Sequence, residues 1–284
     1  MKGFSVLKYI ILVAILGIVG LAALLTDQAK DQSAPVFQSE MDVLTISVTA
    51  EDVDLLAGLT AVDDVDGDVT ASIVIEQMSR IQSDGSRTIT YGAFDSSNNV
   101  SKYTRTLQYT DYSSPEFSLK GPLVFQNWNL NDALNVIQVT DCIDGNITNK
   151  MKLYSVEESA SHSRILTVYV TNSSGETVTQ SFPVEILGIT AEEYSYAPKL
   201  ALSQYLIYKE AGDAEEDWTA YLKSVQVVEY AAEEVQLRDI EDLSQVTITS
   251  AVDMENPGIY TVGYTYTDEM GSTGKTRLFV IVEE

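Results

Sequence analysis

The residues whose types and spacing have the most evident capacity for chemistry are aspartates. Asp64, Asp66 and Asp68 stand at alternate positions beside Asp63 in the run DDVDGDVT, residues 63–70. Hard carboxylate oxygens at such a spacing can hold Ca²⁺. Asp95 is an additional ligand if its own turn folds back near Asp63. The run is not an EF-hand loop, because the twelfth position counted from Asp64 is Ile75 and the glycine is misplaced. The competing reading is an Asp-Gly turn whose carboxylates cap backbone amides. A second copy, DCIDGNIT at 141–148, keeps Asp141 and Asp144 but has Asn146 where the first has Asp68, and Asn172 stands at the place of Asp95.

Other chemistry has little to work with. His162 is the single histidine, so any Ser-His-Asp or Cys-His machinery would have to use it. It lies in the polar stretch SASHSR, and the chain contains no G-x-S-x-G, H-E-x-x-H, C-x-x-C or P-loop. Carboxylates are so numerous, 42 in all, that chance pairs are certain and glycosidase chemistry cannot be read from them. No catalytic residue and no enzyme activity are expected. Trp128 and Trp218 each lie beside Asn or Asp, in FQNWNLND and EEDWTAYL. Tryptophan in that setting suits sugar or protein binding; the alternative is that each packs against its own domain.

Charge and cysteine usage narrow the partners. Lys2 and Lys8 are the only charges before Asp27, so the rest of the chain sets 15 basic residues against 42 acidic ones, a balance of −27. Phosphate binding needs a basic face, which excludes nucleic acid as an expected partner. Cys142 is the single cysteine, so no intramolecular disulfide can form. An exported protein without disulfides points to a bacterial surface. The expected thiol is buried and inert.

Export itself is read from the N-terminus. Residues 9–25, YIILVAILGIVGLAALL, carry no charge. As a helix they would span about 26 Å, the lower limit for crossing a bilayer. Lys2 and Lys8 place the N-terminus in the cytoplasm by the positive-inside rule. The expectation is a single-pass anchor in a bacterial cell membrane, with the remainder extracellular. A cleaved signal peptide, cut after Ala22, is the alternative and would make the protein secreted. The end of the chain, FVIVEE, shows neither a second hydrophobic span nor a wall-sorting signal.

The elements that must position the aspartates repeat along the chain. Pro35, Pro115 and Pro198 each open a stretch with an apolar residue two positions on. The acidic turns at Asp63 and Asp141 are 78 residues apart, and the later turns at Asp95 and Asn172 are 77 apart. A degenerate third copy runs from Arg238 to Ile248 and from Val262 to Ser272. Leu44, Ile46 and Val48 alternate with polar residues, as in a half-buried strand. Ile89, Tyr91 and Ala93 are expected on a core face, as are Leu166, Val168 and Val170, then Val262, Tyr264 and Tyr266. A second strand follows each turn, at 100–109, 177–186 and 276–282. The expected fold class is all-β, tandem Ig-like β-sandwiches with separate cores behind one transmembrane helix. The expected divisions are 1–30 (tail, anchor and linker), 34–112, 113–188, and a divergent 197–284. The last has an insertion at 209–236, expected as a helical turn or long loop.

These motifs resemble the bacterial surface Ig-like domain, which is also appended to certain pesticidal crystal proteins. That family's pattern opens on x-P-x-[FIV], continues with D-x-x-D-G-D-[IV]-T, and closes on Y-x-[AV]-x-D-x-x-G-N. The first copy matches at Pro35, Asp63, Asp66, Gly67, Asp68, Thr70, Tyr91, Ala93, Asp95 and Asn99, with Asn98 where glycine is usual. The second matches at Pro115, Asp141, Asp144, Gly145, Thr148, Val170 and Gly175. The third keeps Pro198, Asp268 and Gly271. The resemblance implies display, spacing or adhesion at the envelope. A receptor for a polysaccharide or host glycan, or an accessory subunit with a protein partner in an envelope enzyme or secretion complex, are the alternatives.

Overall fold

The computed structural model describes residues 14–19, 21, 31–82, 84–160, 162–214, 216–231 and 234–284. Residues 14–19 and 21 are helical and exposed. The rest of the expected anchor at 9–25 lies outside the described residues. Among the described residues, no helix is long and apolar enough to cross a membrane. The chain from residue 31 onward is built of β-sheets and divides into two compact units, Met1–Tyr112 and Ser113–Glu284.

The first unit contains strands β1 (Val36–Ser39), β2 (Val43–Ile46), β3 (Leu59–Asp63), β4 (Gly67–Asp68), β5 (Val74–Met78), β6 (Ser86–Phe94) and β7 (Val100–Tyr109). They form a sheet in the order β1-β3-β4 and another in the order β2-β7-β6-β5. Side chains from both sheets meet in one core that includes Leu44, Ala61, Ile89, Tyr91, Ala93 and Leu107. Alternate residues of β6 point to opposite faces, and so Ile89, Tyr91 and Ala93 are all fully buried. The alternation at 44–48 extends only to Ile46: the chain turns there, and the Val48 amide donates to Asp111 instead of to a neighbouring strand.

One polar group lies deep in this core. Arg105 on β7 is 3% exposed. It donates to the carbonyls of Leu55 at 2.9 Å and Ala57 at 2.8 Å and to the Tyr91 hydroxyl at 3.0 Å. Its guanidinium carbon stands 5.1 Å from the centre of the Tyr91 ring, which adds a cation–π contact. A buried cation has to be fully hydrogen-bonded to be tolerated, and here carbonyl oxygens do that in place of a carboxylate.

The second unit holds two sandwiches. Strands β8 (Glu116–Leu119), β9 (Val124–Phe125), β10 (Ile137–Asp141), β11 (Gly145–Asn146), β12 (Lys152–Ala160), β13 (Ser163–Thr171) and β14 (Thr177–Ile186) pair as β11-β10-β8 and β12-β13-β14-β9. Strands β15 (Lys199–Leu202), β16 (Leu206–Glu210), β17 (Leu222–Ala231), β18 (Glu234–Asp239), β19 (Thr247–Ser250), β20 (Gly258–Thr267) and β21 (Thr273–Glu283) pair as β15-β17-β18 and β16-β21-β20-β19. Helix α1 (Leu130–Val136) is capped by Asn129, and helix α2 (Ala191–Tyr196) by a reciprocal Thr190–Glu193 capping box. The 209–236 stretch contains the end of β16, a 3₁₀ turn at Trp218–Tyr221, and most of the β17–β18 hairpin.

Within this unit the two sandwiches keep distinct cores, as expected, but strand β21 contributes to both. Leu278, Val280 and Val282 of β21 face the core of the third sandwich, whereas Phe279 and Ile281 pack into the core of the second. The Phe279 ring meets Phe182 edge-on, with centroids 5.8 Å apart. The Tyr208 hydroxyl accepts from the Phe117 amide at 2.8 Å and donates to its carbonyl at 3.1 Å. Arg277 pairs with Glu185 at 2.5 Å. A strand buried on both faces reads as a continuous apolar run rather than an alternating one, and LFVIV at 278–282 is such a run.

Candidate metal centre

Strand β3 ends on Asp63, which pairs with Gly67 across a tight reversal. Gly67 has φ +74°, a left-handed conformation that a Cβ penalises. Asp63 is 3% exposed. Its Oδ1 accepts from the amides of Val65 and Asp66, each at 2.9 Å, so this oxygen caps the turn. Its Oδ2 is buried and has no hydrogen-bond partner among the described residues.

The turn after β6 comes back to meet this reversal. Asp66 accepts from the Ser96 amide at 2.7 Å and the Ser96 hydroxyl at 2.9 Å. Asp95 is buried; its Oδ1 accepts from the amides of Ser97 and Asn99, each at 2.8 Å, and its Oδ2 from Asn99 Nδ2 at 2.7 Å. Burial opposes ionisation of Asp95, but the Asn99 and Ser97 donors outweigh it and hold the carboxyl below its ordinary value. Asn98 occupies the position filled by Gly175 and Gly271 in the other copies, and all three have positive φ, +65°, +84° and +84°. Asparagine is among the few non-glycine residues that adopt this conformation readily, which explains the departure from glycine.

A fourth carboxylate arrives from ahead of β1. Asp31 Oδ1 accepts from the Ser33 amide at 3.0 Å and its hydroxyl at 2.6 Å, and Asn99 Nδ2 donates to the Asp31 carbonyl at 3.2 Å. Asp31 Oδ2, like Asp63 Oδ2, is buried without a hydrogen-bond partner among the described residues. Asp31, Asp63, Asp66 and Asp95 each present one carboxylate oxygen, and the four oxygens lie within 4.8 Å of one another.

Three of the five expected ligands, Asp63, Asp66 and Asp95, are thus brought together, and Asp64 and Asp68 are not. Asp64 Oδ1 lies beside the Ser33 hydroxyl, whose one proton it shares with Asp31 Oδ1. Asp68 sits across the hairpin opposite Val62 and accepts from the Thr70 amide at 2.9 Å; Thr70 holds its carboxyl below the ordinary value. Alternate spacing gathers side chains only on an extended strand, and the reversal at Gly67 breaks that geometry. Asp31 is the ligand that motif reading missed. Its signal is D-x-S-[AS]-P, which occurs at 31–35 and again at 111–115.

The second copy repeats the scaffold with different chemistry. Asp141 Oδ1 accepts from the amides of Ile143 at 3.0 Å and Asp144 at 2.7 Å, the same cap as at Asp63. Its Oδ2 is satisfied by Asn172 Nδ2 at 3.0 Å. Asp144 accepts from the Ser173 amide and from Lys150 Nζ, each at 2.7 Å. Burial opposes ionisation of Asp144, but Lys150 and Ser173 outweigh it and keep the carboxyl below its ordinary value. Position 72, equivalent to Lys150, is a serine. Asp111, equivalent to Asp31, is spent on capping Val48 at 2.8 Å and Ser47 at 2.7 Å.

The remaining candidates offer less. Trp218 is buried in the core of the third sandwich, and Trp128 is half-buried against the core of the second. Cys142 is half-buried rather than fully buried, and its thiol donates to the Ser113 carbonyl at 3.1 Å. His162 lies exposed at the turn between β12 and β13, with its ring against Gly188. A cleft of about 490 Å³ beside β8 and β16 is lined by Glu116, Tyr205, Tyr208 and Lys209. Burial pushes the Tyr208 phenol well above its ordinary value, and its hydroxyl is committed to the Phe117 backbone.

No protein-family model matches the chain, and no curated protein matches it. Among solved structures, the CBM51-2 and INT domains of Clostridium perfringens ZmpB align at 18% identity, over 51% of this chain and 26% of theirs, with a TM-score of 0.22. A second ZmpB structure, with CBM51-2 in complex with GlcNAc, aligns at 14% identity over 88% of this chain and 42% of its own, with a TM-score of 0.23. Human CDH23 EC21-23 aligns at 12% identity over 88% of this chain and 100% of its own, with a TM-score of 0.24. The chain therefore spans less than half of either ZmpB chain. Similarity at this level leaves the chemistry of those proteins without bearing on this one.

Proposed function

We propose that this chain is a single-pass protein of a bacterial cell membrane. Its β-sandwiches lie outside the cell, belong to the bacterial surface Ig-like family, and act in display, spacing or adhesion rather than catalysis. The observation that carries this reading is the pairing of a basic-flanked apolar run at 9–25 with repeated sandwiches bearing a strong acidic excess. Such modules hold a binding surface away from a membrane, and loops on a rigid scaffold supply specificity. Fractionation and protease shaving of intact cells test it. The expected result is a carbonate-resistant membrane pool from which external protease releases sandwich fragments. A soluble, protease-protected cytoplasmic pool refutes the reading, and a soluble pool in the medium selects the cleaved, secreted form.

A second reading, an accessory subunit with a fixed protein partner, is favoured by β12. This strand is at the edge of its sheet and exposes Leu153, Tyr154 and Val156. An open edge strand can pair with another chain. Cross-linking on cells that yields one stoichiometric partner, lost on Tyr154→Glu, selects this reading. Binding of a polysaccharide or host glycan rests on Trp128 alone once Trp218 is buried, and a saturable glycan-array signal lost on Trp128→Ala would be needed to revive it.

A further inference from the structure

We propose that Asp31, Asp63, Asp66 and Asp95 hold one calcium ion, which ties the segment ahead of the first sandwich to its acidic turn. Four carboxylates within 4.8 Å of one another do not make a site by themselves. What points to a ligand here is Asp63 Oδ2, a carboxylate oxygen on a side chain 3% exposed, with no hydrogen-bond partner among the described residues. Buried polar groups in native proteins are almost always paired, and charged ones need a counter-charge.

The chain supplies its own comparison. The oxygen equivalent to Asp63 Oδ2 is Asp141 Oδ2, and it is met by the Asn172 amide. Asn172 stands where the first copy has Asp95, a carboxylate that cannot donate. Asp144 is met by the Lys150 ammonium, where the first copy has Ser72, whose hydroxyl is engaged with the Phe94 amide. The second copy therefore carries an internal donor and an internal cation at the points where the first copy has neither. It keeps only two carboxylates, Asp141 and Asp144, and Asp111, the equivalent of Asp31, accepts from Ser47 and Val48. The first copy replaces both compensations with an added acid, Asp31, and so calls for an external cation.

The donor set selects which cation. It is all oxygen and all carboxylate, which suits a hard divalent ion. Calcium accepts six to eight oxygens in flexible geometry, whereas Mg²⁺ demands a near-ideal octahedron and retains more waters, so four carboxylates drawn from three separate segments suit calcium. Asp31 is the ligand with a mechanical consequence. It belongs to the segment that leads into β1, so the ion would order that segment on the sandwich.

Isothermal titration of the full chain in detergent with CaCl₂, then with MgCl₂, tests the proposal. The expected result is one saturable calcium site with weaker magnesium binding. Asp31→Asn and Asp95→Asn should each weaken calcium by about 10- to 100-fold or more, at least the loss seen when a ligand's supporting partner is removed. Asp68→Asn should leave it unchanged, because the Asp68 carboxylate is engaged with Thr70. Asn172 indicates that an asparagine is accommodated at the position of Asp95, and Asp31 precedes the sandwich, so neither variant threatens the fold. Absence of a saturable heat overturns the proposal. Equal losses from Asp68→Asn and Asp95→Asn would reduce the effect to diffuse charge and overturn it as well, as would magnesium binding as tight as calcium.

Discussion

The compensation argued for the second acidic turn can be broken by one atom exchange. In Asn172→Asp, an acceptor replaces the Nδ2 donor that lies 3.0 Å from Asp141 Oδ2. Two unit charges at that distance repel by about 5 kcal/mol at an effective dielectric of about 20. The protein can avoid this by protonating one of the pair, which restores a hydrogen bond. Protonation of an ordinary carboxyl costs about 1.4 kcal/mol per pH unit above its pKa of about 3.9, hence about 4 kcal/mol at neutral pH and about 1.5 kcal/mol at pH 5. The smaller of the two terms governs, so the variant should lose about 4 kcal/mol at pH 7 and about 1.5 kcal/mol at pH 5. The sign follows from linkage. The shared proton raises the native pKa of the pair above its unfolded value, so the native state binds more protons and stability relative to wild type falls as pH rises. Urea titration followed by tryptophan fluorescence reads this directly, since Trp128 and Trp218 both lie in the second unit. A loss below about 1 kcal/mol at neutral pH, or one that does not change between pH 5 and pH 7, would refute the view that Asn172 stands in for a counter-charge.

Three further outcomes are expected. Asp144→Asn should flatten the acid limb of the stability curve: the native carboxyl lies below its ordinary value of 3.8, so its contribution is fully present above that value and lost as pH falls through the lower native one, and equal acid slopes in wild type and variant would count against it. Arg105→Met removes three hydrogen bonds of a buried cation and should lower the stability of the first unit by about 2–4 kcal/mol, read as a fall of its calorimetric transition with that of the second unit unchanged. Phe279→Ala opens a cavity in the core of the second sandwich from a strand of the third; it should cost about 3–5 kcal/mol and lower both tryptophan signals together, whereas separate transitions for Trp128 and Trp218 would show that the two sandwiches unfold independently.

Much of the fold is local and therefore legible in the residues. Alternation is a property of the strand itself, so Tyr91, Val168 and Tyr264 declare a core face wherever the strand ends up. The turn at Asp63 is likewise local, because an aspartate capping amides two and three residues ahead and a glycine of positive φ need no distant partner. The same reading stops short at β21, where LFVIV records that both faces are buried but not which sandwich covers the second; Phe182 and Tyr208, which share that boundary, are far away in sequence. The acidic site divides in the same way. Composition and spacing marked Asp63, Asp66 and Asp95 as oxygen ligands, and the repeat itself exposed the exchange of Asp95 for Asn172. Alternate spacing also drew in Asp64 and Asp68, because a sequence motif does not display the reversal that turns them away. Tertiary structure alone brought Asp31 onto the cluster, left Asp63 Oδ2 without a partner among the described residues, and set Lys150 against Asp144. Residue types determine which groups are able to carry charge, whereas the path of the backbone between distant turns determines which charges must face one another.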